Sequence, residues 1–299
     1  MTVTHDSAGA MQDTIWLSVL VAVPRGADPT AWCQLAALPD ADRCALILAC
    51  AEATPPLYAP DAEVVCCAGA TLFQLWAKAI AQARGTHVAI VDARCPPSAG
   101  WLRAAREAVA QGLAAFFGPV SYGGADDDRA RVEYVLEYGQ FARPLAVGLR
   151  EVPGNNLVFR RDLLDAQAVR GGEFHKVFFV ASLRRSGVVP AYRDDLEVLY
   201  AKRYPRVHYL RRRLAHGRTY AALRSAQVSM AQRLLRMLTS PVLPLLRLGR
   251  IAAAVSGKPG LGAVLLRRPI HALAAETAWS LGECAGYVSG QPGSSVHLD

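Results

Sequence analysis

Apolar residues in the first half of the chain come in short unbroken runs separated by polar turns. IWLSVLVAV spans 15–23 and stops at Pro24-Arg25-Gly26; CALILAC (44–50), AEVVCC (62–67), THVAIV (86–91) and AAFF (114–117) follow. Runs of this length, bounded by Gly, Pro and Asp, predict strands buried on both faces. Between them, Ala-rich stretches near 29–38, 71–84 and 98–111 predict helices. Strand, helix and strand at this spacing form an α/β fold, a mostly parallel sheet with helices on both faces. Ligands of such sheets bind at the carboxyl ends of the strands, so the loops after Val23, Cys50, Cys67 and Val91 are the first places to look for chemistry.

The pattern changes further along. A Gly-Gly-Ala-Asp-Asp-Asp loop precedes a helical stretch around Arg129 to Tyr138. The segment Val152-Pro-Gly-Asn-Asn-Leu-Val-Phe-Arg-Arg161 comes next, then a helix near Phe174 to Ser186. After Tyr200 the chain reads as helices cut short by Pro205, Pro241, Pro244, Pro259 and Pro269. Its longest apolar stretches, 237–255 and 269–290, carry prolines and charges that a membrane span of about twenty apolar residues does not tolerate. Helices lying in a membrane interface fit them better. The expected organisation is a flexible start at 1–14, an α/β domain at 15–198, a basic helical region at 199–290 and a flexible tail at 291–299.

Charge sharpens this division. Of the 33 Lys and Arg residues, 15 lie between Val198 and Ala275, a stretch with no Asp or Glu, so the remaining 18 face all 25 acidic residues elsewhere. Basic character therefore belongs to the C-terminal third and suggests an anionic partner. Arginines interleaved with Leu, Val and Ile favour an anionic membrane surface over nucleic acid, for which stacking aromatics are sparse. The polar first residues do not read as a signal peptide, which predicts a cytoplasmic protein, peripheral on the inner face of the cell membrane. Seven cysteines without a Cys-x-x-Cys pair read as reduced thiols. No Gly-x-Gly-x-x-Gly follows the first strand and no Walker-type loop appears, which argues against dehydrogenases and phosphate-loop enzymes.

Four blocks, in order, resemble bacterial family 2 glycosyltransferases of the GT-A fold. Trp16 to Pro24 is similar to the opening strand and proline of that family. The stretch from Ala81 through Asp92-Ala93-Arg94-Cys95-Pro96-Pro97 to Gly100-Trp101-Leu102 is similar to the strand whose end carries acidic residues. Pro153 to Asp162 resembles the Gly-x-Asn segment beside the donor sugar, and Glu173 to Gly187 the helix whose start carries the catalytic carboxylate. Arg211 to Arg218 and Ala278 to Tyr287 are similar to the tails of a membrane-associated branch.

That resemblance implies an inverting transfer from a nucleoside-diphosphate sugar to a cell-envelope, lipid-linked or polysaccharide acceptor. The leaving diphosphate must be neutralised, commonly by Mg2+ or Mn2+ on carboxylates, and the acceptor hydroxyl must lose a proton to a base. The residues it points to are Pro24, Glu52, Asp92, Arg94, Gly154, Asn155, Asn156, His216 and Arg218 for the nucleotide sugar, Asp92 for the metal, and Glu173 and His175 for catalysis. The chain departs from the family where Arg94 replaces the second acid of Asp-x-Asp and where Lys176 falls at the base slot. Arg94 is then an alternative to the metal as the diphosphate's counter-charge. A fold that persists as a binding or scaffolding partner without transferase activity is the second reading. Trp32, Trp76 and Trp101 read as core, Trp279 and Tyr287 as interface anchors, and Asp126, Asp127 and Asp128 as a solvated loop.

Overall fold

In the computed structural model, residues 14–53, 60–146, 149, 151–164, 168–225 and 228–291 are described. The expected flexible ends fall, but for Thr14 and Gln291, outside them. The chain forms two compact units. The first comprises 1–119 with 150–198, and the second 120–149 with 199–299.

The first unit is built on β1 (Leu17–Val23), α1 (Thr30–Cys33), β2 (Cys44–Cys50), β3 (Glu63–Cys66), α2 (Leu72–Gln82), β4 (His87–Asp92), α3 (Trp101–Ala110) and β5 (Ala115–Phe117). The uninterrupted apolar runs become strands as their composition requires: every residue of β1 and of β4 is buried. The exception in composition, Ser18 of β1, has its hydroxyl occupied by the backbone N–H groups of Arg84 (3.1 Å) and Gly85 (2.9 Å). Gly85 has no substitute there, because a Cβ would come within 2.5 Å of the Ser18 nitrogen. The stretch expected as one helix over 29–38 is a single α turn, continued as a 3-10 turn at Gln34–Ala37, since Pro29 and Pro39 bracket it.

The second unit takes β6 (Val120–Tyr122) and α4 (Asp128–Tyr138) from the middle of the chain. The first unit resumes with β7 (Asn156–Arg160), β8 (Val169–Arg170), β9 (Glu173–Phe174), α5 (Lys176–Arg185) and β10 (Ala191–Tyr192). Then β11 (Val198–Tyr200) leads into α6 (Arg206–Ser225), α7 (Met230–Thr239), α8 (Leu243–Val255), α9 (Val264–Arg267) and α10 (Pro269–Ser289).

The seven-stranded sheet runs β10-β5-β7-β4-β1-β2-β3 and is parallel except for β7, which pairs antiparallel with both β4 and β5. The parallel register pairs Val23 with Cys50 and Ala22 with Asp92, so the carboxyl ends of β1, β2 and β4 share one edge. Trp32, Trp76 and Trp101 are buried, and two of them fasten the end of β4: Trp76 donates to Val91 O (2.8 Å) and Trp32 to Asp92 O (3.2 Å).

In the second unit α6 packs closely along α10. A Cβ built on Gly217 would overlap Trp279 O, and one on Gly282 would overlap Leu214 O. Two glycines thus let the backbones touch. The charge inside this unit is paired: Glu276, fully buried, is held by Arg213 and Arg247 (2.5 Å), and Glu137 by Arg212 (2.7 Å). Burial alone would push the Glu137 carboxyl up, but Arg212, Lys202, Arg213 and His216 together hold it below the usual range. Among the described residues no single helix is long and apolar enough to cross a membrane. The pair α7 and α8 passes that test together, bent by 79°.

Candidate active site

The edge where β1, β2 and β4 end gathers several of the expected residues. Pro24 is buried at the end of β1, and its carbonyl accepts from Ala27 N (2.9 Å) in a turn that brings Gly26 N to Glu52 Oε1 (3.2 Å). Glu52 therefore ties the β1 loop to the end of β2. Asp92 closes β4 with no exposed surface. Its Oδ1 accepts from the Arg94 backbone N–H (3.0 Å) and Nε (3.1 Å), and its Oδ2 from Arg94 Nη2 (3.0 Å). A bidentate guanidinium is the geometry that best compensates a buried carboxylate.

Opposite this pair lies the Gly-Asn-Asn segment. Val91 pairs with Asn156 in the antiparallel ladder, and continuing that register by one residue brings Asn155 level with Asp92. The two asparagines do different things. Asn156 has its amide spent on the scaffold: Oδ1 accepts from Trp101 Nε1 (3.0 Å), and Nδ2 donates to Leu196 O (2.6 Å) and Pro119 O (3.3 Å). It closes the sheet instead of meeting a donor hydroxyl. Asn155 is equally buried, yet neither its Oδ1 nor its Nδ2 has a partner among the described residues. A buried amide of this kind costs stability until something bonds it, which marks Asn155 as the polar group waiting at this edge.

Glu173 and His175 form a dyad, His175 Nε2 lying 2.8 Å from Glu173 Oε2. The Thr71 hydroxyl, which also caps α2, donates to Glu173 Oε1 (3.4 Å), and Phe73 lies against the imidazole at 4.4 Å between ring centroids. The Thr71–Gln74 capping box is legible in sequence as Thr-x-x-Gln before an apolar run, but only the fold shows that its threonine also holds Glu173. Lys176 begins α5, its stem 3.6 Å from where a Gly154 side chain would start and its ammonium donating to Val152 O. Burial pushes this ammonium down to about 8, with Glu151 opposing the shift. His216 and Arg218 belong to α6 in the second unit, where Arg218 Nε donates to Gln291 O (3.2 Å).

No protein-family model matches the sequence, and no curated protein does. Solved structures do. Mannosyltransferase PcManGT from Pyrobaculum calidifontis, in complex with GDP-Man and Mn2+, is 15% identical and superposes with a TM-score of 0.52 over 91% of this chain and 87% of its own. The fold is a glycosyltransferase fold. S. aureus TarS 1–349 (12% identity, 92% of each chain, TM-score 0.42) and the same protein with UDP (14%, 92% of each, 0.40) are more distant.

Within the glycosyltransferase fold, the residues at the end of β4 do not fit a divalent cation. They offer one carboxylate, both of whose oxygens already face a guanidinium, and among the described residues no three His, Cys, Asp or Glu side chains come together to hold a metal ion. The expected ligand Asp92 instead anchors Arg94. Asp126, Asp127 and Asp128 make no such site either. Asp127 caps α4 by accepting from Arg129 N and Ala130 N, Asp128 pairs with Arg267 (2.9 Å), and Asp126 pairs with Arg131 (3.3 Å).

Proposed function

We propose that the first unit binds a nucleoside-diphosphate sugar at the carboxyl edge of its sheet and transfers the sugar, with inversion, to an acceptor hydroxyl. The observation that carries this reading is the Asp92–Arg94 pair level with the unpartnered buried amide of Asn155, at the edge where sheets of this kind take their ligands. The similar mannosyltransferase, solved with GDP-Man, supports the donor class.

In this reading Arg94 and Lys176 neutralise the diphosphate, Asn155 bonds the donor, and Glu173 takes the acceptor proton while His175 orients it. The acceptor oxygen bonds to the anomeric carbon as the bond from that carbon to the phosphate oxygen breaks. The electron pair leaves on the diphosphate and the proton stays on Glu173. No step passes through a metal. The acceptor is an envelope, lipid-linked or polysaccharide hydroxyl at a membrane. The second unit supports this with exposed Met230, Leu234, Leu235 and Leu238 on α7, Val242 just before α8, and Leu245 and Leu246 on α8, interleaved with Arg233, Arg236 and Arg250. Such a face suits peripheral attachment to the cytoplasmic leaflet.

The test is melting temperature against UDP, GDP and their sugars, each with Mn2+ and with chelator. A shift with one nucleotide that survives chelation is expected; no shift with any of them refutes the reading. The single carboxylate at β4 also favours a second reading, a nucleotide-binding fold that serves as a scaffold. Binding without release of the nucleoside diphosphate from its sugar, across envelope acceptors, selects that one.

A further inference from the structure

The second unit carries a cavity that the transfer reaction does not use. It has a volume of about 580 Å³ and is walled by Arg129, Arg206, Arg267, Arg268 and His271, with Asp127 at its side and Ile270 at its rim. Its position is unusual. Asp127 caps α4, Arg206 is the first residue of α6, and Pro269 to His271 are the first three of α10, so three helix N-termini open into one space. These helices have 11, 20 and 21 residues, and each contributes the positive end of its dipole. Arginines are unfavourable at such ends and carboxylates favourable, yet this cavity collects four arginines.

The protein compensates only part of that charge. Arg129 approaches Glu133 (3.7 Å), Arg267 pairs with Asp128 (2.9 Å), and Asp127 is occupied by its cap and by Arg203 (3.7 Å). Arg206 and Arg268 have no carboxylate partner among the described residues. His271 is 6% exposed; its Nε2 meets Glu133 Oε1 at 3.0 Å, and its Nδ1 has no partner among the described residues. α10 itself has no side-chain cap and no acid in its first turn. Convergent helix N-termini with planar guanidinium donors are the recognition chemistry of a phosphate.

A second feature says what kind of phosphate. Ile270, 78% exposed, also begins an apolar groove of about 490 Å³ between α6 and α10, lined by Leu210, Leu214, Leu273, Ala278 and Leu281. From Ile270 to Leu281 the groove follows α10 for about 16 Å at 1.5 Å per residue. A cationic head site that runs into an apolar channel matches an amphiphile. We propose that the second unit binds a phosphate-headed lipid, its head among Arg206, Arg268 and the three helix ends and its chain in the α6–α10 groove. The site deepens the membrane-facing part of the function proposed above and is independent of the nucleotide site.

The full chain is tested in two ways. First, its melting temperature is followed with dihexanoyl phosphatidic acid below its micelle concentration, and with inorganic phosphate. Second, cosedimentation is measured with vesicles of phosphatidylcholine alone and of phosphatidylcholine mixed with phosphatidic acid. Arg206→Gln with Arg268→Gln is the site variant; both side chains are exposed and unpaired, so it folds. Arg185→Gln with Arg224→Gln removes the same charge elsewhere in the chain, outside the membrane-facing side of α7 and α8. The expected result is stabilisation by the short-chain phosphatidate and not by phosphate, and a loss of lipid affinity in the site variant at least about tenfold greater than in the control. Equal losses in the two variants, or equal stabilisation by free phosphate, overturn the proposal. Stabilisation by the short-chain lipid without vesicle binding keeps the site and removes the membrane-facing reading of the unit.

Discussion

Replacing Arg94 by Asp restores the two-acid pattern at the end of β4 and makes the role of the present pair measurable. Asp92 has no exposed surface and the Arg94 side chain is 15% exposed, so water compensates little when the guanidinium is lost. Breaking a buried pair costs about 3–5 kcal/mol. The Arg94 backbone N–H still reaches Asp92 in the variant, which places the loss near the lower end, about 3 kcal/mol before the second carboxylate adds repulsion. For a unit of this size that is a fall in Tm of roughly 6–12 °C. Two carboxylates at a strand end then suit a divalent cation, and Mn2+ at a hundred times its Kd returns about 2.7 kcal/mol. Differential scanning fluorimetry with and without Mn2+ is the assay. The variant is expected to melt low without metal and recover most of the loss with it, while the natural protein does not respond. A natural protein that gains as much from Mn2+ as the variant does, or a variant that melts unchanged without metal, refutes the assignment of Arg94 as the cation of this site.

Lys176 sets a pH dependence. With its ammonium pushed down to about 8, nucleoside-diphosphate affinity measured by calorimetry is expected to fall as pH rises through 8, and Lys176→Arg to hold it to higher pH. The folding sign is opposite. Below pH 8 the native state carries a desolvated charge that the unfolded chain does not, so stability rises between about pH 8 and 10.5 as this penalty disappears. Glu173→Gln is expected to lower the transfer rate by about 100-fold or more with donor affinity unchanged, read from product formation beside a binding isotherm. Gly282→Ala forces a methyl group onto Leu214 O, and denaturant unfolding is expected to show a loss of about 1–3 kcal/mol.

The strands that could be read from composition were those with an unbroken apolar centre, such as Val64-Val65 of β3 and Val88 to Val91 of β4. The expected run at 44–50 is β2 to the residue, and those at 62–67 and 86–91 differ from β3 and β4 by one position at each end. β7 was hidden for a physical reason. Its five residues looked like a binding motif, and nothing local tells Asn156-Leu-Val-Phe-Arg160 that it will insert antiparallel between β4 and β5. The site divides the same way. The Asp92–Arg94 and Glu173–His175 pairs are two residues apart, so their meeting is nearly dictated by spacing. The separate roles of Asn155 and Asn156 depend on Trp101 and Leu196, far along the chain, and only the sheet reveals which amide is already spent.

The basic C-terminal third also needs a closer accounting than net charge offers. Its run of arginines without an acid suggested an anionic partner, but acids from outside that run answer part of it. Glu133 and Glu137 come from α4 and Glu276 from the middle of α10, and they hold His271, Arg212, Arg213 and Arg247 inside the unit. Arg233 is likewise turned onto the Ser225 carbonyl, and Lys258 onto those of Gln140 and Ala142. Much of the excess charge therefore builds the helical unit. What remains for a partner includes Arg206 and Arg268, on helix ends that disfavour them, beside Arg236 and Arg250 on the α7–α8 face. Removing a structural cation strands its buried carboxylate and costs about 3–5 kcal/mol, whereas a cation at a helix N-terminus works against the dipole and is favoured there only where an anion shares the place. That contrast separates the arginines that fold this unit from those that serve it.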